Sequence, residues 1–287
     1  MGFGQHQSFY LRPQWLHKGM FEVKQNPRFF YEDDHFERLG IGKNMAKSVR
    51  HWMNATNVMI DVKSIQTEQH LTEFGLIIEQ YDPHLQKNFT VGLLHYFLTT
   101  NEKIATTWYW FFNYFKEDVF DRNTVLEALE AWVKTTQDKP VSLNSLKRDI
   151  DCLFLTYLIK DFENATPEDV IKSPFEELGL IVQTLRTSYT KMPIVEYKNY
   201  NLLFTSLLLY VQKHNINEIS VDDLVNAPEL WGKVFNLNRS TIVEAIEEMQ
   251  KQFPIIFTRT NRLDIVRIKE PINPMAYIKV FYEKEVR

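Results

Sequence analysis

The spacing of hydrophobic residues predicts a chain of amphipathic α-helices separated by short β-hairpins. One order of elements recurs along it: a helix, a short second helix, a turn, an amphipathic helix and two strands joined by a loop. This order is typical of the winged helix-turn-helix module. The predicted fold class is therefore mainly α with small β hairpins, arranged as tandem winged helix-turn-helix modules around a helical middle.

The first module contains the clearest of these patterns. A helix over Tyr31–Leu39 is followed by the turn Gly40–Gly42, where glycine permits the positive φ of a tight corner. A second helix is predicted over Lys43–Met53, and β-rich segments over Asn57–Val62 and Gly75–Gln80 predict two strands. The polar span between these strands is the expected wing.

The remaining sequence predicts a helical connector and two further modules. We place an N-terminal motif and the first module in residues 1–80, the connector in 81–120, the second module in 121–195 and the third module with a tail in 196–287. The predicted helices of these parts lie in a hairpin over Thr90–Phe115 and at Thr124–Thr135, Ser142–Leu158, Leu202–Lys213 and Arg239–Gln252. The predicted strands and wing tips are Leu180–Leu185, Arg186–Lys191, Ile255–Thr260 and Arg262–Ile268.

The helix over Lys43–Met53 has one apolar face and one basic face. Methionine, valine and tryptophan recur at helical spacing on the first face. The candidate DNA contacts on the other face are Lys43, Asn44, Lys47, Arg50 and His51. Lysines would neutralise phosphates, and the arginine could bind a guanine edge. No acidic residue occurs between Glu37 and Asp61, which favours a recognition helix over an ordinary solvated face.

The third module carries mixed signals for DNA binding. Its predicted amphipathic helix has Glu244, Glu247 and Glu248 on the outer face, and these would repel phosphate. Its hairpin carries Arg259 and Arg262, which are candidate backbone contacts. A structural or protein-binding module is the favoured interpretation, and a phosphate grip by the hairpin is the alternative.

Composition limits the other functions that the chain can have. The formal net charge is −4, so any nucleic-acid contact must come from a local basic patch. A single cysteine, Cys152, excludes a disulfide within the chain and a cysteine-based zinc site. No secretory or membrane-spanning segment is recognisable, so a cytoplasmic location with no membrane partner is expected. No cofactor motif is evident, and the residues alone do not predict an enzyme.

Two phrases of the sequence resemble a known family. The first is residues 4–9, Gly-Gln-His-Gln-Ser-Phe, and the second is residues 39–45, Leu-Gly-Ile-Gly-Lys-Asn-Met. Weaker matches continue to about Pro193. The chain resembles the SspB-like proteins of bacterial Ssp DNA phosphorothioation systems, a family defined by a domain of unknown function.

The resemblance implies a protein that binds double-stranded DNA and nicks its backbone for sulfur incorporation in antiviral defence. The partners it implies are a cysteine desulfurase, an ATPase and a sulfurtransferase, with a divalent metal if the chain is a nickase. Residues in family-like phrases become catalytic candidates: His6, Asp82, His95, Arg148 and Asp149. The sequence departs from the family at Gln7, where an acid is expected. If that acid binds metal, the chain would be a weakened nickase, or a non-catalytic winged-helix or scaffold subunit that recruits the modification complex.

Overall fold

The computed structural model describes residues 2–63, 65–159, 171–260 and 263–285. Within these residues the chain forms two compact units, Met1–Lys191 and Met192–Arg287. The first three parts of the sequence-based division therefore fall almost wholly inside one unit. The division of that unit into separate modules remains a prediction.

Helices make up most of both units, and the sheets are small and antiparallel. The helices of the first unit are α1 Pro13–Gln25, α2 His35–Leu39, α3 Lys43–Ala55, α4 Glu73–Tyr81, α5 Asn88–Thr99, α6 Thr106–Asn113, α7 Arg122–Thr136 and α8 Leu143–Tyr157. Those of the second unit are α9 Tyr200–His214, α10 Val221–Asn226, α11 Trp231–Val234, α12 Arg239–Met249 and α13 Pro274–Glu285. The predicted class, mainly α with small β hairpins, is confirmed.

The strands form one hairpin and two three-stranded sheets. They are β1 Met59–Lys63, β2 Thr67–Leu71, β3 Val119–Phe120, β4 Ile181–Leu185, β5 Ser188–Lys191, β6 Glu218–Ser220, β7 Ile255–Arg259 and β8 Asp264–Ile268. β1 pairs with β2, and the sheets have the orders β3-β5-β4 and β6-β8-β7. Every pair is antiparallel. β1, β4, β7 and β8 correspond to strands that the sequence predicted.

The turn before α3 forms as the two glycines predict. Gly40 ends α2 in the left-handed conformation, with φ 68°, and its amide donates to the carbonyl oxygen of Glu37. Gly42 is extended and starts α3. The helix expected over Tyr31–Leu39 is only partly correct. Phe29–Tyr31 form a 3-10 turn, and α2 begins at His35 after a break at the acidic residues.

The strand predicted over Gly75–Gln80 is wrong, because this segment lies inside α4. The Thr72 hydroxyl accepts a hydrogen bond from the Gly75 amide at 2.9 Å and caps the helix. Phe74, Ile77 and Ile78 then bury one helical face. A short apolar run fits both the helical period of 3.6 residues and the strand period of 2. The Thr72 cap favours the helix here. The second strand of the first hairpin is β2, which precedes this cap.

Gly75 packs α4 directly against the backbone that leads into β1. A Cβ at this position would lie 2.0 Å from the carbonyl oxygen of Val58. We expect Gly75→Ala to lower the free energy of unfolding by about 1–3 kcal/mol, because α4 or the Val58 backbone must move. Chemical denaturation tests this against Gln80→Ala, an exposed change on the same helix that should cost below about 0.5 kcal/mol. Equal losses in the two variants would contradict the close approach.

The other predicted elements agree well with the structure. The helical hairpin expected over Thr90–Phe115 is present as α5 and α6. The helices and strands expected in residues 121–195 and 196–287 are also present, although Arg186–Lys191 contains the strand β5 rather than forming only a loop tip. The predicted strand Arg262–Ile268 corresponds to β8, while Arg262 itself lies outside the described residues.

Candidate functional site

Helix α3 presents a row of exposed polar and basic side chains. Lys43, Asn44 and Lys47 are exposed, while Ala46, Val49, Trp52 and Met53 are fully buried. The Lys43 ammonium lies 4.9 Å from the centre of the Phe36 ring. Lys47 forms no ion pair with any residue that the structure describes. These side chains are available to a ligand at the surface.

Arg50 lies on the same helix but is held by neighbours. Its Nη2 donates to Asp61 Oδ2 and to the Tyr31 hydroxyl, both at 2.8 Å. The guanidinium also stacks 4.8 Å from the Tyr31 ring centre. The sequence has no acidic residue between Glu37 and Asp61. In the structure, however, β1 places the Asp61 carboxylate next to Arg50 of α3. The Arg50 guanidinium is therefore held in one orientation, and the Asp61 carboxylate offsets part of its positive charge.

His51 lies in the interior, contrary to the solvent face expected for it. Its side chain is 7% exposed, and neither ring nitrogen has a hydrogen-bond partner among the described residues. Burial, which disfavours the charged imidazolium, lowers the pKa of His51 to about 3. The imidazole is therefore neutral at ordinary pH and carries unsatisfied hydrogen-bonding capacity, which is costly in a buried group.

Residues 2–8 form a tight loop that is anchored to α8 by Asp149. Asp149 Oδ1 accepts hydrogen bonds from the Gly4 amide at 2.7 Å and from His6 Nε2 at 2.8 Å. The Thr107 hydroxyl donates to Asp149 Oδ2 at 2.6 Å. Gly4, Gln7 and Ser8 have positive φ, which is uncommon for the two residues that carry side chains. The buried carboxylate thus fixes the strained loop through Oδ1 and is itself held by Thr107 of α6 through Oδ2.

His6 is almost fully buried. The Ser8 amide donates to His6 Nδ1 at 3.1 Å, which requires that nitrogen to be unprotonated. A proton on Nδ1 would face the Ser8 N–H directly. His6 is then neutral and donates to Asp149 through Nε2.

The loop places other predicted residues near this pair. Arg148 is exposed, and a Cβ at Gly4 would lie 3.4 Å from its guanidinium nitrogen. The rings of His51 and Trp108 lie 6.0 and 5.6 Å from the His6 ring. The structure therefore brings together three of the five catalytic candidates, His6, Arg148 and Asp149, and adds His51 to them.

The other two catalytic candidates lie in separate structural roles. Asp82 is buried, and its carboxylate accepts from the amides of Gln86 and Lys87 at 2.8 and 3.0 Å and from the Thr90 hydroxyl. His95 is fully buried in α5, and its Nδ1 lies 2.8 Å from the Tyr157 hydroxyl. Asp82 fixes the loop before α5, and His95 belongs to an aromatic core.

The candidate contacts of the second unit are partly neutralised. Arg259 Nη1 donates to Glu247 Oε1 at 2.9 Å, so the hairpin cation is paired with the acidic face of α12. Arg267 pairs with Glu218 in the same manner. Arg262 lies outside the described residues. These ion pairs support the structural or protein-binding interpretation of this unit over a phosphate grip.

A cleft of about 590 Å³ opens beside the basic face of α3. The helix lines it with residues at successive turns, Lys47, Arg50, His51 and Asn54. The loop residue Gln5, the start of β1 and the connection between α5 and α6 close the other sides. Polar, charged and apolar atoms thus converge on one concave surface, the arrangement typical of ligand sites.

A family model for a protein of unknown function, DUF4007, matches residues 3–282 of the chain. The chain belongs to the DUF4007 family. No curated protein matches this DUF4007 protein with significant sequence similarity.

Two solved structures have the same fold. One is described as a magnesium-ion-bound SspB crystal structure and the other as an SspB crystal structure, with TM-scores of 0.87 and 0.86. Each is 22% identical to this chain and is aligned over 99% of it and 87% of the SspB chain. At this identity the comparison establishes a shared fold.

The donor atoms of the described residues do not form a ready magnesium site. Among them there is no group of three or more His, Cys, Asp or Glu side chains placed to hold a metal ion. Mg²⁺ usually takes one or two carboxylates together with substrate phosphates. Asp149, the most buried acid of the site, has both oxygens engaged by the loop and Thr107, so its carboxylate does not fit this role as it stands.

Several residues of the site escaped sequence reasoning. Thr107 completes the Asp149 network, and Asn57 and Asn101 line the cleft beside α3. Their contacts join segments far apart in the sequence, and no local pattern marks them. Asn57 alone carries a usable signal, because an asparagine directly after a helix often adopts the left-handed conformation, and its φ is 57°.

Proposed function

We propose that this DUF4007 protein binds double-stranded DNA as a subunit of a bacterial DNA phosphorothioation system. The observation that carries the proposal is the exposed row Lys43, Asn44 and Lys47 on α3, in a chain that shares the SspB fold. Lysines at one-turn spacing can neutralise neighbouring phosphates, and the amide can reach a base edge or the backbone.

The order of elements supports a winged helix-turn-helix assignment for the DNA-binding part. In this proposal α2, the Gly40–Gly42 turn and α3 form the helix-turn-helix, and the β1–β2 hairpin is the wing. Gly40 in the left-handed conformation sets the corner between the helices. The buried face of α3 keeps the basic face outward, which is the geometry of a recognition helix.

Removing the two lysines should weaken DNA binding strongly. We expect K43A/K47A to reduce affinity for duplex DNA by about tenfold or more at low salt, and to reduce the salt dependence by up to two counterions. Fluorescence anisotropy over a salt series measures both effects. The control is K279A/K284A, which removes two lysines from α13. If K43A/K47A binds as tightly as the unchanged protein, α3 is not the DNA contact.

Backbone nicking is a second candidate function, favoured by the grouping of Arg148 with His6 and Asp149. An arginine beside a histidine–carboxylate pair can stabilise charge on a phosphate while the histidine moves a proton. His6 is 1% exposed, however, so the loop at residues 2–8 must open before a phosphate reaches it. DNA binding without catalysis therefore fits the closed loop better.

A plasmid assay separates the two candidates. Supercoiled DNA is incubated with the protein and Mg²⁺ or Mn²⁺, and the conversion to open circles is followed for the unchanged chain and for Arg148→Ala. Nicking that R148A abolishes supports the second candidate. DNA binding without nicking leaves the non-catalytic subunit, which would recruit a cysteine desulfurase, an ATPase and a sulfurtransferase. Co-purification with these proteins tests that role.

A further inference from the structure

The cleft beside α3 contains a buried polar group that has no partner among the described residues. His51 lines the cleft, and neither of its buried ring nitrogens has a hydrogen-bond partner there. A buried polar group without a partner costs free energy, and it is expected where a ligand supplies the missing hydrogen bond. The side-chain amides of Gln5, which is exposed, and of Asn57, which is half-buried, line the same cleft and form no hydrogen bond with another described residue, so they can bind a ligand without breaking a contact.

The cleft residues that are already engaged give it a defined shape. The Asn101 amide donates to the carbonyl oxygens of Asn54 and Ala55 at 3.3 and 3.2 Å and accepts from the Ile104 amide. Asn101 therefore ties the end of α3 to the connection between α5 and α6. These hydrogen bonds fix one wall of the cleft. The amides that remain for a ligand are those of Gln5 and Asn57.

Apolar and charged groups complete the lining. Ile60 is 51% exposed, and it lines the cleft together with Met59 and Ile104, giving flat apolar contact area. Lys47 supplies a cation at the rim that has no ion pair among the described residues, whereas Arg50 pairs with Asp61. The lining thus combines amide donors and acceptors, an apolar surface and the positive charge of Lys47.

We propose that this cleft binds a single nucleotide unit, with the base among Gln5, His51 and Asn57 and the phosphate at Lys47. Amides carry both donors and acceptors and match the edges of nucleobases, while aliphatic side chains cover the ring faces. A volume of about 590 Å³ falls in the range of small-ligand sites. An apolar ligand would leave the amides unpaired, and a bare anion would leave Ile60 exposed.

The proposal rests on the proposed DNA function and makes it more specific. Because the cleft adjoins the Lys43–Lys47 face, a nucleotide rotated out of a bound duplex could enter it while α3 holds the backbone. A nucleotide of single-stranded DNA, or a free one, presents the same chemistry. The test therefore uses all three sources.

Two variants remove the amides at little structural cost. Gln5 is exposed, so Q5A removes only its side chain. Asn57 has φ 57°, which glycine adopts without strain, so N57G removes the amide and keeps the backbone. Gln14 is an exposed glutamine on α1, away from the cleft lining, and Q14A is the matched control. Circular dichroism and thermal unfolding verify that all three fold.

Binding of the four deoxynucleoside monophosphates is measured by calorimetry, and the short single strands and duplexes carry 2-aminopurine as a fluorescent base. We expect at least one nucleotide to bind, and Q5A and N57G each to weaken it about threefold to tenfold, with Q14A unchanged. A rise in 2-aminopurine fluorescence that both variants reduce on a duplex identifies a rotated base. A rise confined to single strands identifies that source instead.

The proposal is overturned if no nucleotide binds and no fluorescence changes, or if Q5A and N57G behave like Q14A. Duplex affinity measured on the same samples separates this failure from failure of the DNA function. If duplex binding is intact and depends on the lysines but the cleft binds no nucleotide, only the nucleotide site is refuted. Loss of both duplex binding and nucleotide binding removes the DNA function as well.

Discussion

Asp149→Ala should lower the free energy of unfolding by about 3–5 kcal/mol, because the variant removes the acceptor shared by three hydrogen bonds in the interior. The Asp149 carboxylate is 1% exposed and holds the Gly4 amide, His6 and Thr107 at once. Alanine would leave all three of these donors without their acceptor. Urea denaturation measures the loss, and hydrogen exchange at Gly4 and Ser8 reports whether the loop is released.

Asp151 provides the control on the same helix. Its side chain is 62% exposed and pairs with Arg122 at 2.6 Å, so Asp151→Ala should cost below about 1 kcal/mol. Asp149→Asn keeps the shape and one acceptor oxygen, and it should fall between the two alanine variants. Equal losses for Asp149→Ala and Asp151→Ala would show that the loop is not anchored through this carboxylate.

Acidification from pH 7 to pH 5 should remove about 2 kcal/mol of stability through His51 alone. Burial lowers the pKa of His51 from its ordinary value of 6.5 to about 3. Below pH 6.5, His51 becomes protonated in the unfolded chain but stays neutral in the folded chain. The contribution of His51 is therefore complete above pH 6.5 and is lost progressively as the pH falls toward 3.

Comparison with His51→Phe isolates this effect, because phenylalanine keeps a buried ring and does not titrate. The free energy of unfolding is measured at pH 7 and pH 5 for both proteins, and the groups common to both cancel in the difference. The decrease in the free energy of unfolding between pH 7 and pH 5 should be about 2 kcal/mol smaller in H51F than in the unchanged protein. His51→Gln serves as a second variant if phenylalanine does not fit. The same pH dependence in all the proteins would contradict a buried neutral His51.

Elements that depend on local pattern were predictable from the sequence. Helix α3 was predicted to within two residues at its end, since its apolar period, the preceding glycines and the basic face all agree. The hairpin α5–α6 followed from its high apolar content, and the helices α7, α8 and α9 were predicted at Thr124–Thr135, Ser142–Leu158 and Leu202–Lys213. The strand error at α4 has a local cause, because residues 75–80 contain too few turns of helix to separate the two periods.

The site was less predictable, because its contacts are formed in three dimensions. Helical spacing placed His51 beside Arg50 on the basic face, but the structure buries it and places the His6 ring of the N-terminal loop 6.0 Å away. Family-like phrases marked Asp149 as a catalytic candidate, but no sequence pattern showed that its carboxylate points inward to His6. Asp61 neutralises Arg50 from a strand that a helix-face argument does not include. Tertiary contacts decide each of these cases.

The anchoring of the loop at residues 2–8 also determines the order in which the chain assembles during synthesis. His6 and Asp149 are separated by 143 positions, and Gly2 and Thr106 by 104. At ordinary translation rates of roughly 5–20 residues per second, the loop is synthesised about 7–30 s before its carboxylate partner. The loop can therefore dock only after α8 has emerged from the ribosome.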